Sequence, residues 1–257
     1  MTNNGRKIVS TFMVVTVVVS SFQSRRFDRQ CTVEQLSTVA EVELCRTGLL
    51  MDNAARWADI DTDFQLSDIL GGAPFSVVRG EADSPWTVTA PHAVAHLDDQ
   101  GTSWPADRGT GGLALLLSEL GVARSLVTGG RWDADADSVP SPLCPFKTAL
   151  LEEACPTLVV DLHEGRKGSE LVLDVGVRPE LVRRPLNMLI ATAEDYAFPV
   201  LVKASCPTEG RQRVVDALLA QSVPALRVSI PSEYLDPWTA PRRAKRLVAM
   251  MSTFLSS

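Results

Sequence analysis

Thr157-Leu158-Val159-Val160-Asp161-Leu162-His163 joins an apolar run to an aspartate and a histidine two residues apart. Leu158-Val159-Val160 is a continuous apolar run, the pattern of a strand covered on both faces, so a buried strand is expected over Thr157 to Leu162. The chain around it alternates. Upstream, Trp86 to Ala90 reads as a strand, Gly111 to Leu120 as a helix stopped by Gly121, Ser125 to Thr128 as a short strand and Phe146 to Ala154 as a helix. Downstream come a strand over Leu171 to Val177 and a helix entered through Pro185 that ends before Phe198-Pro199. A strand over Val200 to Ala204, a helix over Gln212 to Gln221, a strand over Ala225 to Ile230 and a closing helix over Ala240 to Phe254 follow. Strands alternating with helices predict an α/β domain of three layers, a largely parallel or mixed sheet flanked by helices.

Ahead of that domain, Phe75 to Arg79 reads as extended, and Leu66 to Leu70 as a short helix ended by Gly71-Gly72. Residues 26–65 read as a helical segment, with apolar residues at mixed three- and four-residue spacing from Val33 to Arg56. Residues 1–25 form an apolar leader or extension: Arg6-Lys7 precedes a run from Ile8 to Phe22 that is short for a membrane span. The α/β domain then covers 66–257. Two locations stay open, the cytoplasm, or export if Ile8 to Phe22 is a signal sequence; a membrane is expected only through that leader.

A net charge of -6 argues against a basic groove, so no nucleic-acid partner is expected. The basic cluster Arg242-Arg243-Ala244-Lys245-Arg246 reads as the solvated face of the last helix. Five cysteines, an odd number without a CxxC pair, exclude a disulfide framework and a structural zinc knuckle, and Cys144 reads as a buried structural thiol. The chain has no GxSxG elbow, which disfavours a serine hydrolase of that type.

Histidine is scarce: His92, His96 and His163 are all there are. His92 follows the strand Trp86–Ala90 and His163 follows the strand Thr157–Leu162, where an open α/β sheet carries its site. Two imidazoles and one carboxylate make a catalytic zinc set with one position left for water. Asp107 is the natural third ligand, in a loop able to fold back towards His92. Asp161, two residues before His163, points to the same side of a strand and is suited to orient the imidazole. His96 falls in turn-like sequence near Asp98-Asp99-Gln100-Gly101 and reads as a surface residue. Arg108 either anchors a substrate carboxylate or braces its own loop. Thr110 reads as an N-cap or first-turn residue of the helix that Gly109-Thr110-Gly111-Gly112 opens. The acidic stretch Asp133 to Ser138 lacks the glycine and glutamate of a calcium loop, and Arg131 to Ser138 reads as a loop lining the cleft.

Taken in order, Pro91-His92-Ala93-Val94, Ala106-Asp107-Arg108-Gly109-Thr110-Gly111-Gly112-Leu113-Ala114, Cys144-Pro145-Phe146-Lys147 and Asp161-Leu162-His163 resemble the N-formylglutamate amidohydrolase-like family. The resemblance spans roughly Leu66 to Met250. It implies a phosphorylase/hydrolase-like fold similar to that of zinc carboxypeptidases and poly-γ-glutamate hydrolases. It further implies one Zn²⁺ per chain on His92, Asp107 and His163, with Arg108 holding a carboxylate of a small-molecule substrate. The activity implied is metal-dependent cleavage of an amide other than an ordinary peptide bond. Two departures stand out. Glu164 occupies the position after the histidine where the family has glycine. Ser229 occupies the late-strand position where the family has a glutamate base. Glu164 and Glu233 are the residues left to move the proton. The rival expectations are a metal- or ligand-binding protein without turnover, and a hydrolase using Cys144 or Ser229 as nucleophile.

Overall fold

The structure, a computed structural model, describes residues 53–63, 75–78, 84–97, 101–129, 135–140, 143–152, 157–168, 170–205 and 212–257. The leader, most of the helical segment and Leu66 to Leu70 lie outside the described residues. Within the helical segment, 53–63 is a helix, α1.

The strands are β1 (Phe75–Val78), β2 (Trp86–Ala90), β3 (His96–Leu97), β4 (Ser103–Trp104), β5 (Arg124–Thr128), β6 (Leu158–Gly165), β7 (Leu171–Asp174), β8 (Val200–Lys203) and β9 (Ala225–Pro231). The helices that follow α1 are α2 (Thr110–Glu119), α3 (Pro145–Glu152), α4 (Pro179–Asp195), α5 (Val214–Ala220) and α6 (Pro241–Leu255), with a 3-10 turn over Ser232–Tyr234. Seven strands form one sheet in the order β1-β5-β2-β6-β9-β7-β8; β3 and β4 form a separate pair. The four central strands β5, β2, β6 and β9 are mutually parallel. At the margins β1 runs antiparallel to β5, and β7 antiparallel to β9. The sheet is therefore mixed with a parallel core, as its alternating sequence predicts.

Interior parallel strands are apolar on both faces because helices cover both. One face of β2 and β6 presents Trp86, Val88, Val160 and Leu162 to the core; Trp86 packs on Phe254 of α6 with ring centroids 4.6 Å apart. The α6 stripe Ala244, Leu247, Val248, Met251, Phe254, Leu255 is buried and recurs at helical spacing. Helix α2 packs on β5, β2 and β6 and also against α6, which explains its nearly uniform apolarity. Helix α1 closes over α2: the Trp57 indole is fully buried, and its Nε1 donates to the Gly109 carbonyl at 3.2 Å. A Cβ on Gly112 would stand 2.9 Å from that indole, so the close α1–α2 contact needs glycine there.

Three expectations are corrected. Helix α4 starts at Pro179, with Pro185 inside it rather than at its entry. Pro179 already supplies the preset φ that favours proline at a helix start, whereas Pro185 sits inside the helix, where it removes one internal hydrogen bond and crowds the carbonyl four residues earlier. Strand β6 runs on to Gly165, so His163 and Glu164 lie within the strand, not after it; the extension pairs with β9 as far as Pro231. The basic cluster is only partly solvated: Arg242 and Arg243 are exposed, but Arg246 sits 4.6 Å over the Phe198 ring. No helix among the described residues is long and apolar enough to cross a membrane.

Candidate metal centre and adjoining cavity

All four parallel strands deliver chemistry at their carboxyl ends, the edge where open α/β sheets bind ligands. After β2 comes His92; after β5, the loop with Asp135 and Asp137; on β6, Asp161, His163 and Glu164; on and after β9, Arg227, Ser229 and Glu233. Strand pairing sets which side chains share a face. Thr89, Asp161 and Arg227 stand opposite one another across β2, β6 and β9, and His163 stands opposite Ser229. With the two-residue period of a strand, these groups line one face, and Leu162 and Glu164 the other.

His163 is buried, and its Nε2 donates to Asp161 Oδ2 at 2.9 Å. Asp161 is itself fully buried and fixed by Thr89, whose Oγ1 donates to Oδ1 at 2.6 Å. The other nitrogen of His163, Nδ1, lies 3.1 Å from Asp107 Oδ2. His92 is built the same way. Its Nε2 donates to Asp135 Oδ1 at 2.9 Å, and its Nδ1 lies 3.7 Å from the same Asp107 Oδ2. Each imidazole thus has one nitrogen held by a carboxylate, leaving the other turned towards a shared third carboxylate. That is how proteins fix the tautomer and direction of metal-ligating histidines.

A turn carries Asp107 into place. The Asp107 N–H donates to the His92 carbonyl at 2.7 Å, and Thr110 Oγ1 donates back to the Asp107 carbonyl at 2.6 Å. Thr110 is therefore a first-turn residue of α2, with Gly109 as N-cap at φ 74°. A Cβ on Gly109 would fall 2.2 Å from the Leu235 carbonyl oxygen. The left-handed φ and the backbone clash act together, so Gly109→Ala is expected to cost about 2–4 kcal/mol of folding stability. It should also displace Asp107 and lower metal retention. Urea unfolding and metal content check this, and an unchanged urea midpoint would show that the turn tolerates a side chain.

Sequence reading missed three members of the centre. Asp135 and Asp137 arrive from the acidic loop: Asp137 Oδ2 accepts from Arg227 Nη1 at 2.6 Å and lies 4.0 Å from His163 Nε2, while Asp137 Oδ1 accepts from the Val214 N–H. The alternating aspartates were the available signal. His96 is the third. It is buried rather than at the surface, because the β3–β4 pair folds back and stacks its ring on His92, with centroids 4.4 Å apart. Two groups have ligating atoms all within 4.8 Å of one another, His92/Asp137/His163 and His92/His96/Asp135. Lys147 braces the acidic loop from beneath: its buried Nζ donates to the carbonyls of Val139 and Gln212. Cys144 is fully buried, which removes it as a nucleophile for an external substrate.

Electrostatics test whether a cation suits this set. Four carboxylates (Asp107, Asp135, Asp137, Asp161) face one guanidinium, Arg227. Burial would lower the His92 pKa, but hydrogen bonds to Asp107 and Asp135 outweigh it and raise it to about 10. His163 is also raised: burial and Arg227 oppose this, while Asp161 and Asp107 prevail. Burial pushes the Asp107 carboxyl up, yet hydrogen bonds to His163 and His92 bring it well below the ordinary range; Asp135, bonded to His92 and Ser138, falls to about 2. The excess negative charge calls for protons on the imidazoles or for a divalent cation between them. The N₂O donor set, with both outer nitrogens held, fits zinc.

Beside the centre opens a cavity of about 1100 Å³. The imidazoles do not line it. Arg108 and Glu164 do, each one residue beyond a member of the centre, and so do Glu233 and the 3-10 turn, the Trp238 turn and the start of α6. The two regions meet at the end of β6, which the Asp107–Arg108 turn straddles: Asp107 reaches His163 on one face, and the Arg108 N–H donates to Glu164 Oε2 at 3.1 Å on the other. Burial lifts the Glu164 carboxyl above its ordinary value; the Arg108 N–H opposes this and the Asp107 charge adds to it. Glu233 Oε2 is buried without a hydrogen-bond partner among the described residues.

No family model and no curated protein matches the chain. Several solved structures are similar to it in fold. A gene product of Agrobacterium tumefaciens is 14% identical, with a TM-score of 0.49, covering 76% of this chain and 96% of its own. The N-formylglutamate amidohydrolase from Ralstonia eutropha JMP134 is 12% identical, with a TM-score of 0.44, covering 71% of this chain and 97% of its own. A bacteriophage poly-γ-glutamate hydrolase is 15% identical, with a TM-score of 0.40, covering 71% and 85% respectively.

Proposed function

We propose that the chain is a divergent member of the N-formylglutamate amidohydrolase-like family. On this reading it is a metal-dependent amidohydrolase that cleaves the amide of a carboxylate-bearing substrate of the N-formyl- or N-acyl-amino-acid type. The observation that carries it is the convergence of His92 Nδ1 and His163 Nδ1 on Asp107 Oδ2, with each outer nitrogen held by a carboxylate. His92, Asp107 and His163 would hold the ion, with zinc the expected one; Asp135 and Asp161 keep the imidazoles aimed. An ion bound there supplies Lewis-acid polarisation of the amide carbonyl and of the attacking water.

The protein's own residues do the rest. The Arg108 guanidinium holds the substrate carboxylate at the cavity wall, a task suited to its planar fork. Glu164, with Oε1 left free by the Arg108 contact on Oε2, takes the proton shed by the attacking water and passes it to the leaving amine. A raised pKa suits that double role. Glu233, with its unpartnered Oε2 in the same cavity, is the alternative proton carrier.

The test is release of free amino acid from N-formyl- and N-acetyl-amino acids by zinc-loaded protein. Hydrolysis that stops with chelator and returns with zinc is the expected result. Ser229 beside His163 supports a second reading, a metal-binding protein without turnover. Zinc retained with no hydrolysis across the series would favour that reading and sink the first.

A further inference from the structure

We propose that Lys147 is a positioning residue of the metal centre: its buried ammonium ties the acidic loop to the segment ahead of α5, and this tie keeps Asp135 and Asp137 in place against His92 and Arg227. The proposal rests on the metal site of the reading above and adds to it a residue that touches neither ion nor substrate.

Lys147 is 1% exposed, and a charged group taken out of water costs free energy that an apolar side chain does not. The other buried residues of α3, Phe146, Ala149 and Leu150, are apolar. Packing of this helix therefore gives no reason for a cation at that position. The hydrogen bonds give one. Nζ donates to the Val139 carbonyl at 2.7 Å and to the Gln212 carbonyl, groups on two separate stretches of chain. Val139 closes the acidic loop. Its N–H and that of Ser138 donate to the Asp135 carbonyl, while the Asp137 N–H and Ser138 Oγ donate to the Asp135 carboxylate. Gln212 stands two residues before Val214, whose N–H donates to Asp137 Oδ1. Lys147 thus grips both stretches between which Asp137 is held.

The charges agree with that placement. Asp107, Asp135, Asp137 and Asp161 carry four negative charges, and Arg227 and Lys147 supply two positive ones. One divalent ion completes the balance. Burial pulls the Lys147 pKa below its ordinary value, and Cys144, Asp137, Asp135 and Asp161 oppose that shift. The contacts run on to a ligand: Asp135 Oδ1 accepts from His92 Nε2, so a loop that slides off Lys147 lets the His92 ring turn away from the ion. Removing the ammonium has two opposite effects. Loss of a nearby positive charge favours a bound cation, whereas loss of the tie frees the loop. If Lys147 positions the loop, the second effect wins.

Lys147→Met, similar in length but without charge or donor, tests this. Two readings are taken on the folded protein: competition for zinc against a chromophoric chelator, and the visible absorption of the cobalt(II)-loaded form, which reports the geometry around the ion. Zinc affinity is expected to fall about tenfold or more, with the cobalt bands altered even at saturating metal. Lys147→Gln keeps a donor for one carbonyl and should fall between Lys147→Met and the wild type. Leu150→Ala, which opens a cavity on the same helix, should lower the urea midpoint and leave zinc affinity and cobalt bands at their wild-type values. Unchanged or tighter zinc binding in folded Lys147→Met, or the same cobalt change in Leu150→Ala, would overturn the role given to Lys147. If Lys147→Met does not fold, Lys147→Gln decides by the same two readings. A wild type that binds neither metal overturns the centre, and this role with it. If the wild type binds zinc, the lysine variants bind it more weakly and no N-acyl amino acid is hydrolysed, Lys147 keeps its role and the hydrolase reading fails.

Discussion

Asp161→Asn is expected to weaken zinc binding by about 10–100-fold, the usual cost of losing a group that orients a ligand, and His163→Ala to abolish binding and hydrolysis together. The two changes act at different removes. His163 would donate Nδ1 directly. Asp161 acts through it: Oδ2 accepts from Nε2 and Oδ1 accepts from Thr89, so the ring cannot turn. An asparagine keeps the volume and one acceptor, but it removes the charge that raises imidazole basicity. Zinc titration against a chromophoric chelator, with circular dichroism as a check on folding, reads both. Wild-type affinity in Asp161→Asn would mean that the carboxylate does not orient the ring, and would remove the argument built on paired carboxylates.

Arg227→Met should be the most destabilising single change near the centre, at about 3–5 kcal/mol, because breaking a buried pair leaves the partner charge uncompensated. Asp137 would keep the Val214 N–H but lose its guanidinium, with Asp135 and Asp161 close by. The surface pair Arg56–Glu119 gives the contrast: both groups are well exposed, and Arg56→Ala should cost no more than about 1 kcal/mol. Zinc should restore much of the loss in the Arg227 variant, since an ion that binds only the folded state stabilises it and also supplies the missing positive charge. Urea unfolding with and without zinc measures all of this. An Arg227→Met protein as stable as the wild type in the absence of metal would mean that excess negative charge is not what the centre has to balance.

The layers of the fold were legible in the sequence because strand-like segments alternate with helical ones, and because Leu158-Val159-Val160 is an unbroken apolar run. Trp86–Ala90 and Leu158-Val159-Val160 lie where the reading puts them. His92, Asp107, Asp161 and His163 were legible as a group for a related reason: strand ends converge on one edge, and a two-residue spacing fixes a face. What the sequence hid depended on how loops fold back. Asp135 and Asp137 looked like cleft lining, since nothing local shows that Arg227, 90 residues away, draws Asp137 in. His96 looked solvated because its neighbours are turn formers, yet the two-residue strand β3 brings it over His92. Pro185 misled for the opposite reason, a strong local signal overruled by a better helix start at Pro179.

Zinc occupancy of the folded chain tests the central claim most directly. After dialysis against zinc and then against metal-free buffer, elemental analysis should find one zinc per wild-type chain, the stoichiometry of a three-ligand site, and close to none in folded His92→Ala or His163→Ala protein. Folded wild-type protein that retains no zinc, or variants that retain as much as the wild type, would contradict it.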